Sequence, residues 1–435
     1  MTDGRTHVRW FPILAMIAFG TMLNYLDRTV LGIAAPSLTK DLGLTAAMMG
    51  VAFSAFSWSY ALLQIPGGIA LDRFGTRATY FVALLFWSVF TAAMGGVKSL
   101  VSLVLTRIGV GTFEAPCFPA NSRILASWFP QHERARANSI YSVGQYAGIG
   151  FLSVPLFWIT ERFGWRGLFL IVGAIGVAFA FLWRLVYRDP RQSRAVNDAE
   201  MQYIEVGGGG EYRGAPVRFE WKQVRALLRH RQVIGASIGQ FGGNSTQVFF
   251  LTWFPTYLVA ARGMTFLQAG ASAALPYVAA SIGVLFGGFL SDFLLTRTGS
   301  ANIARKLPIV SGMFLAATIV AANYVPTTRN GLVIAILCVA FFGQGMTNLG
   351  WTVIADIAPK PLIGVTGGIF NLSANLAGIV TPIVVGVFFG MTRSFVTPLI
   401  YIAAVALVGA FAYLVILGDI HRLDVAAASS QPSLT

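Results

Sequence analysis

Two acids and two arginines stand where the surrounding sequence is otherwise apolar: Asp27 beside Arg28, and Arg107 seven residues before Glu114. Asp356 is a third such acid, near the end of a later apolar run, where it reads as a helix-end group, solvated or paired. In a bilayer, a charge at the centre of a spanning helix costs about 2.5 to 3.5 kcal/mol on insertion scales, so such residues face a cavity and pair with one another. Two acids and two arginines can pair to neutrality. One reading is a static ion pair holding helices together, although buried pairs are weak sources of stability. The other reading is coupling. Burial favours the protonated form of a carboxyl, a nearby guanidinium favours the ionised form, and an arriving anion that engages the arginine removes part of the second effect. Proton and anion affinities then reinforce one another, because coupling between two ligands is reciprocal. Arginine suits the anion, since its planar fork matches a carboxylate with two hydrogen bonds and stays charged at every working pH. Arg28 is the first choice for that contact; Arg107 is the alternative, or the group that tunes Glu114. Seven residues are two helical turns, so Arg107 and Glu114 share a face with Gly111 and Phe118.

These residues need elements to position them, and the chain supplies membrane helices. It has 435 residues, of which 56% are hydrophobic and only 11% charged, with a mean hydropathy of +0.68; this excludes a soluble enzyme. A spanning helix needs about 20 apolar residues. Continuous runs of that order cover residues 10–35, 47–71, 77–97, 99–126, 137–159, 165–187, 232–259, 266–291, 306–324, 330–356, 362–390 and 394–418. A β-barrel would show short alternating strands instead. The expected fold is therefore an all-α membrane protein of twelve transmembrane helices in two pseudo-symmetric six-helix bundles. The net charge of +14 does not indicate nucleic acid, because the basic residues lie between the runs. With the N-terminus in the cytoplasm, 22 of the 31 Lys and Arg fall on the cytoplasmic side, 7 outside and 2 within spans. That asymmetry follows the positive-inside rule and puts both termini in the cytoplasm. The first run has no small-residue cleavage site and reads as a retained helix. Cys117 and Cys338 sit in apolar runs with no sign of a disulfide framework, and His7, His132, His230 and His421 all fall in loops or tails. No metal cluster or nucleotide loop is visible, so neither metal nor cofactor is expected.

The expected domains are an N-terminal bundle, 1–187, a cytoplasmic linker, 188–231, and a C-terminal bundle with a cytoplasmic tail, 232–435. The linker holds the Gly207 to Gly210 run and reads as loop with one short surface helix. The halves echo one another: Gly68-Ile69-Ala70-Leu71-Asp72-Arg73-Phe74-Gly75-Thr76-Arg77 recurs, weakened, as Gly288-Phe289-Leu290-Ser291-Asp292 with Arg297, at an offset of 220 residues. Six spans repeated around a linker is the arrangement of a carrier whose halves rock about a site near the midplane. The turn through Gly68 and Gly75 would let Asp72 meet a helix N-terminus or a neighbouring arginine and latch one conformation.

The Gly68 to Arg77 segment resembles the loop signature of the major facilitator superfamily. More narrowly, Asn24-Tyr25-Leu26-Asp27-Arg28, Gln64 through Gly68, Glu114-Ala115-Pro116 through Pro119, Trp128-Phe129-Pro130 and Glu133-Arg134 are similar to its anion:cation symporter branch. In the second half, Leu251-Thr252-Trp253-Phe254-Pro255, Ala358-Pro359-Lys360 and Gly418-Asp419-Ile420 look like the same branch, so the likeness runs from about Trp10 to Asp424. Within that branch the likeness is to bacterial sugar-acid carriers for galactonate, glucarate or galactarate, and hexuronates. The resemblance implies a proton-coupled importer of a sugar-acid anion in the inner membrane, monomeric, working by alternating access with partners limited to the anion, protons and lipid. It assigns proton coupling to Asp27 and Glu114 and substrate contact to Arg28, Tyr25, Tyr60, Gln145, Trp351 and Asn371; the residue reading adds Arg107 and Gln240 as expected substrate contacts, and Gly68, Asp72, Arg73, Gly75 and Arg77 as the expected conformational switch.

Polar stripes support a polyhydroxy ligand: Ser57, Tyr60 and Gln64; Ser142 and Gln145; Gln240, Asn244 and Gln247; Asn348, Trp351 and Thr352; Asn371 and Asn375. Each stripe could equally be glue between helices. The alternatives are a carrier of a dicarboxylate or aromatic acid, or an anion exchanger. Gly242-Gly243-Asn244 and Cys117 depart from the galactonate pattern, whereas Gly350-Trp351 and Ala355-Asp356 look like the glucarate group.

Overall fold

A computed structural model of the protein describes residues 6–210, 221–359 and 362–423. Linker residues 211–220, Lys360, Asp424 and the side chains of His132 and Ser142 lie outside the described set. Among the described residues, nine helices are long and apolar enough to cross a membrane. One of them, Gly144–Val186, belongs to a continuous run, Gln131–Val186, interrupted at Gly164 with φ 69° and ψ 174°; a glycine there turns the chain, so the run is the fifth and sixth spans. Leu14–Leu42 and Arg231–Thr252, whose polar residues lower their hydropathy, complete the twelve as first and seventh spans. The fold is all-α, as the runs imply.

The remaining spans are Ala46–Phe74 (second), Thr76–Met94 (third), Leu100–Glu114 with Cys117–Trp128 (fourth), Phe266–Thr298 (eighth), Ala301–Ala317 (ninth), Asn330–Met346 with Gly350–Ile357 (tenth), Ile363–Thr392 (eleventh) and Val396–Phe411 (twelfth). Their ends are encoded locally. Thr45 caps the second span by accepting from the Met48 amide, and capping boxes at Ser99/Ser102 and Thr265/Gln268 start the fourth and eighth. Gly43 and Gly299 close the first and eighth in the left-handed conformation, at φ 63° and 65°.

The chain forms two compact units, Met1–Pro216 and Val217–Thr435, divided within the segment expected to be linker. Each is packed the same way. In the first unit, the first span lies against the Gln131–Val186 run, the second and third against the fourth, and the third against that same run; in the second, the seventh lies against the eleventh, the eighth and ninth against the tenth, and the ninth against the twelfth. Small residues allow these approaches. A Cβ on Gly283 would fall 2.1 Å from the Phe342 carbonyl oxygen, and one on Gly345 2.3 Å from that of Ala280.

Two spans expected as single helices are broken at corresponding places. The fourth breaks at Ala115 and Pro116, where proline has no N–H to give the Thr112 carbonyl. The tenth passes through a 3-10 turn, Thr347–Leu349, in a glycine-rich stretch. Broken helices in matching positions of two halves mark binding sites in carriers.

The linker is more structured than expected. Helix Asp198–Val206 docks on the first unit through Glu200, whose side chain is fully buried. Arg9 donates to Glu133 at 2.8 Å and to Glu200 at 2.9 Å, with its guanidinium 4.8 Å from the Tyr203 ring centre. Arg134 donates to the carbonyls of Ala126, Phe129 and Gly208. The Glu133-Arg134 pair thus clamps the linker, and a second helix, Trp221–Leu227, precedes the seventh span. Burial opposes ionisation of Glu200, but hydrogen bonds from Thr6, the Val8 amide and Arg9 outweigh it and hold the carboxyl below its usual range.

Candidate functional site

The break in the fourth span delivers Glu114 to a buried cluster. Glu114 is fully inaccessible, and its Oε2 accepts from Asn24 Nδ2 at 2.8 Å and from Arg28 Nε and Nη2 at 3.3 and 3.2 Å. Asn24 and Arg28 are one turn apart on the first span, so a single helical face grips one carboxylate oxygen. Oε1 has no partner. The Arg28 guanidinium is walled by aromatic faces, 4.7 Å from the ring centres of Phe56 and Tyr60 and 5.1 Å from that of Tyr25. Phe56 and Tyr60 stack at 5.2 Å, and Tyr25 meets Phe118 edge-on. Such faces attract a guanidinium when water is excluded.

Arg107 reaches the same cluster from the fourth span, its guanidinium 5.0 Å from the Phe56 ring. It is 2% exposed, and neither Nε nor Nη1 has a hydrogen-bond partner. Its neighbours of opposite charge are Glu114 and Asp27. Gly111, on the same face, lets the second span close in: a Cβ there would fall 2.2 Å from the Phe56 carbonyl oxygen. Asp27 is 3% exposed with Oδ1 unpaired, and Glu114 and Arg107 act on it electrostatically. Gln145 is buried on the fifth span. The structure therefore gathers Asp27, Arg28, Arg107, Glu114, Tyr25 and Tyr60 as the sequence suggests. It adds Asn24 and Phe56, which were visible only as members of motifs. An arginine held by one carboxylate oxygen beside a second arginine with two unpaired nitrogens can receive an anion, and the freed carboxylate can receive a proton.

The second unit carries a neutral set. Trp351, 45% exposed, stands beyond the tenth-span break, edge-on to Phe370 at 5.0 Å. Gln240 packs beside Gly350, where a Cβ would fall 3.4 Å from its Oε1. Asn371 lies on the eleventh span, its carbonyl accepting from Asn375 at 2.9 Å. Asn244 instead donates to the Ala374 carbonyl at 2.6 Å, so that member of its stripe joins helices. Asp356 pairs with Arg305 at 3.0 Å, the helix-end role its position suggests.

In the expected switch segment, Arg123 Nη1 donates to Asp72 at 2.7 Å and to the Leu71 carbonyl at 3.1 Å. The partner is thus the arginine alternative. Gly75 makes the turn at φ 78°, and Arg77 donates to the Arg184 carbonyl. Arg73 lies over Phe74. Gly68 departs from expectation: it sits inside the second span with nothing within 4 Å of a built Cβ, so the turn needs Gly75 alone. In the second unit, Arg305 approaches Asp292 at 3.8 Å and donates to Ser291 at 2.7 Å, a counterpart of the Asp72 contact.

Residues 17–382 match the Major Facilitator Superfamily. The chain is 43% identical to the "Probable galactarate/D-glucarate transporter GudP" of Escherichia coli K12, over 99% of this chain and 98% of that one. It is 42% identical to the D-galactonate transporter of an Escherichia coli O6:H1 strain, covering 95% and 97%, and 32% identical to the hexuronate transporter of Bacillus subtilis, covering 88% and 89%. Among solved structures, an inward-facing bacterial homolog of the lysosomal transporter Spinster superposes with a TM-score of 0.75 at 19% identity, covering 94% of this chain and 98% of that one. The Escherichia coli xylose transporter XylE superposes with a TM-score of 0.70 at 18% identity, covering 94% and 96%. These structural likenesses concern the fold.

Proposed function

Because the chain belongs to the Major Facilitator Superfamily and is a membrane transporter rather than an enzyme, we propose that it imports a sugar-acid anion together with a proton. The observation that carries this reading is the buried pair of Arg28 and Glu114 beside Arg107, whose Nε and Nη1 are unpaired. An anionic carboxylate competes with Glu114 for the Arg28 fork. Once displaced, Glu114 loses its stabilising cation and takes up a proton. For a monoanion such as an aldonate or hexuronate, one negative charge and one positive charge enter together, so the cluster's net charge is unchanged while both are bound; an aldarate brings a second negative charge, for which Arg107 is available. Asp27 is the second acid available for this exchange.

Tyr25, Tyr60 and Gln145 in the first unit offer hydrogen-bonding groups and stacking faces for a polyhydroxy chain, and Gln240, Trp351 and Asn371 of the second unit are a set of the same kind. An aldonate, aldarate or hexuronate fits that set, and the names of the relatives support the class. Asp72, Arg73, Gly75 and Arg77 act as the conformational switch of an alternating-access cycle. The distribution of basic residues supports both termini inside, and the bacterial relatives support a cytoplasmic membrane location; the carrier is read as a monomer without cofactor. Anion exchange without protons is the weaker alternative, since it gives the two buried acids no task.

The test is uptake into proteoliposomes of a panel of aldonates, aldarates and hexuronates. An inside-alkaline gradient is expected to drive accumulation of at least one of them, and a protonophore to abolish it. Uptake indifferent to the pH gradient would falsify symport.

A further inference from the structure

The third span has no role in the account so far, yet it presents two buried polar groups to Asp27. Trp87 and Thr91, four residues apart and therefore on one helical face, are both fully buried. Tyr80, two turns before Trp87 on the same face, meets the first span at Gly20, two turns before Asp27, where a Cβ on Gly20 would fall 2.5 Å from the Tyr80 hydroxyl; the two spans run in the same direction, so Trp87 stands level with Asp27. Even so, Asp27 Oδ1, Trp87 Nε1 and Thr91 Oγ1 each lack a direct hydrogen bond. A buried donor without an acceptor is costly, and an ionised buried carboxylate without donors costs more.

We propose that Trp87 and Thr91 are positioning residues that receive the ionised Asp27 carboxylate and thereby set the pH at which it releases its proton. This rests on Asp27 being a coupling acid. The indole fixes the direction of the effect: its N–H can only donate, so it favours the ionised form. The threonine hydroxyl adds a second donor. The other groups facing Asp27 are Glu114 and Arg107 of the fourth span, with Arg28 adjacent on its own helix and the Tyr60 phenol of the second span beside Arg28. The fifth and sixth spans, packed on the first, carry no Asp, Glu, Lys, Arg or His over residues 137–160 and 167–183. Trp87 and Thr91 are thus the neutral donors that can distinguish the two protonation states of Asp27 without changing the charge of the cluster.

The experiment is the pH dependence of uptake in proteoliposomes for the parent, Trp87→Phe, Thr91→Val, Thr91→Ser and Asp27→Asn. Removing a donor to the charged form makes ionisation harder, so the acid limb in Trp87→Phe and Thr91→Val is expected to move to higher pH by about one unit. Thr91→Ser, which keeps the hydroxyl, should retain the parent midpoint, and anion counterflow at low pH should be unaltered in all three. Asp27→Asn should lose that limb altogether. If Asp27→Asn loses the limb while the valine and phenylalanine variants keep the parent midpoint, the third-span role is wrong and proton coupling through Asp27 stands. If Asp27→Asn keeps the parent limb, Asp27 is not a coupling acid and both readings fall. Should the phenylalanine variant not fold, Thr91→Val, which preserves volume and branching, decides alone.

Discussion

The two units share one packing scheme and differ in chemistry. The first buries Asp27, Arg107 and Glu114 around Arg28, whereas the second keeps its charges at span ends, such as Arg305 with Asp356, and lines its helices with amides and an indole. Duplicated architecture with divided chemistry suggests divided labour. On the proposed function, charge balance and proton affinity fall to the first unit, and the amides and indole of the second are left to discriminate among neutral groups of the ligand.

The strongest way to break that division is Arg28→Lys. The charge survives but the fork is lost, so anion affinity should fall by roughly 1.5 to 3 kcal/mol, about ten- to a hundredfold, measured by equilibrium binding. Unchanged binding would move the anion contact to Arg107. A change in the second unit should behave differently: Trp351→Ala is expected to cost about tenfold in affinity for some members of a sugar-acid panel, with accumulation of those still bound remaining protonophore-sensitive. Loss of coupling without loss of binding in Trp351→Ala would contradict the division.

Smaller effects test the surroundings. Glu200 is held below the usual carboxylate range, so its stabilising contribution is present at neutral pH and is lost as pH falls through that lowered range. Glu200→Gln should therefore lower the thermal midpoint of the purified protein at neutral pH, and the gap to the parent should close on acidification. A constant gap would mean that packing, not charge, is at stake. Smallest is Asp72→Asn. The Asp72 side chain is 76% exposed, and an exposed pair is worth at most about 1 kcal/mol, so the labelling ratio of single cysteines on the two faces should shift by no more than severalfold. No shift at all would reduce that contact to a turn.

Much of the first unit was legible in the sequence, because charges in apolar runs announce themselves and a seven-residue spacing fixes a face. What escaped has physical reasons. Pro116 was visible, but proline is tolerated inside many membrane helices, as at Pro66 and Pro155 here, so the break beside Glu114 had no distinct sign. Glu200 lies in a short acidic helix of the linker, where nothing in the spacing marks its carboxylate as the one buried on Arg9. Trp87 and Thr91 are single polar groups in an apolar span and leave no periodic pattern. Gly68 misled in the opposite direction, since a glycine beside a turn motif need not make the turn.

The measurement closest to the central claim is made on Glu114→Gln, which mimics the protonated acid. In proteoliposomes, anion counterflow should persist while accumulation driven by an inside-alkaline gradient collapses to equilibration. Full gradient-driven accumulation by this variant would remove Glu114 from proton coupling and contradict the account.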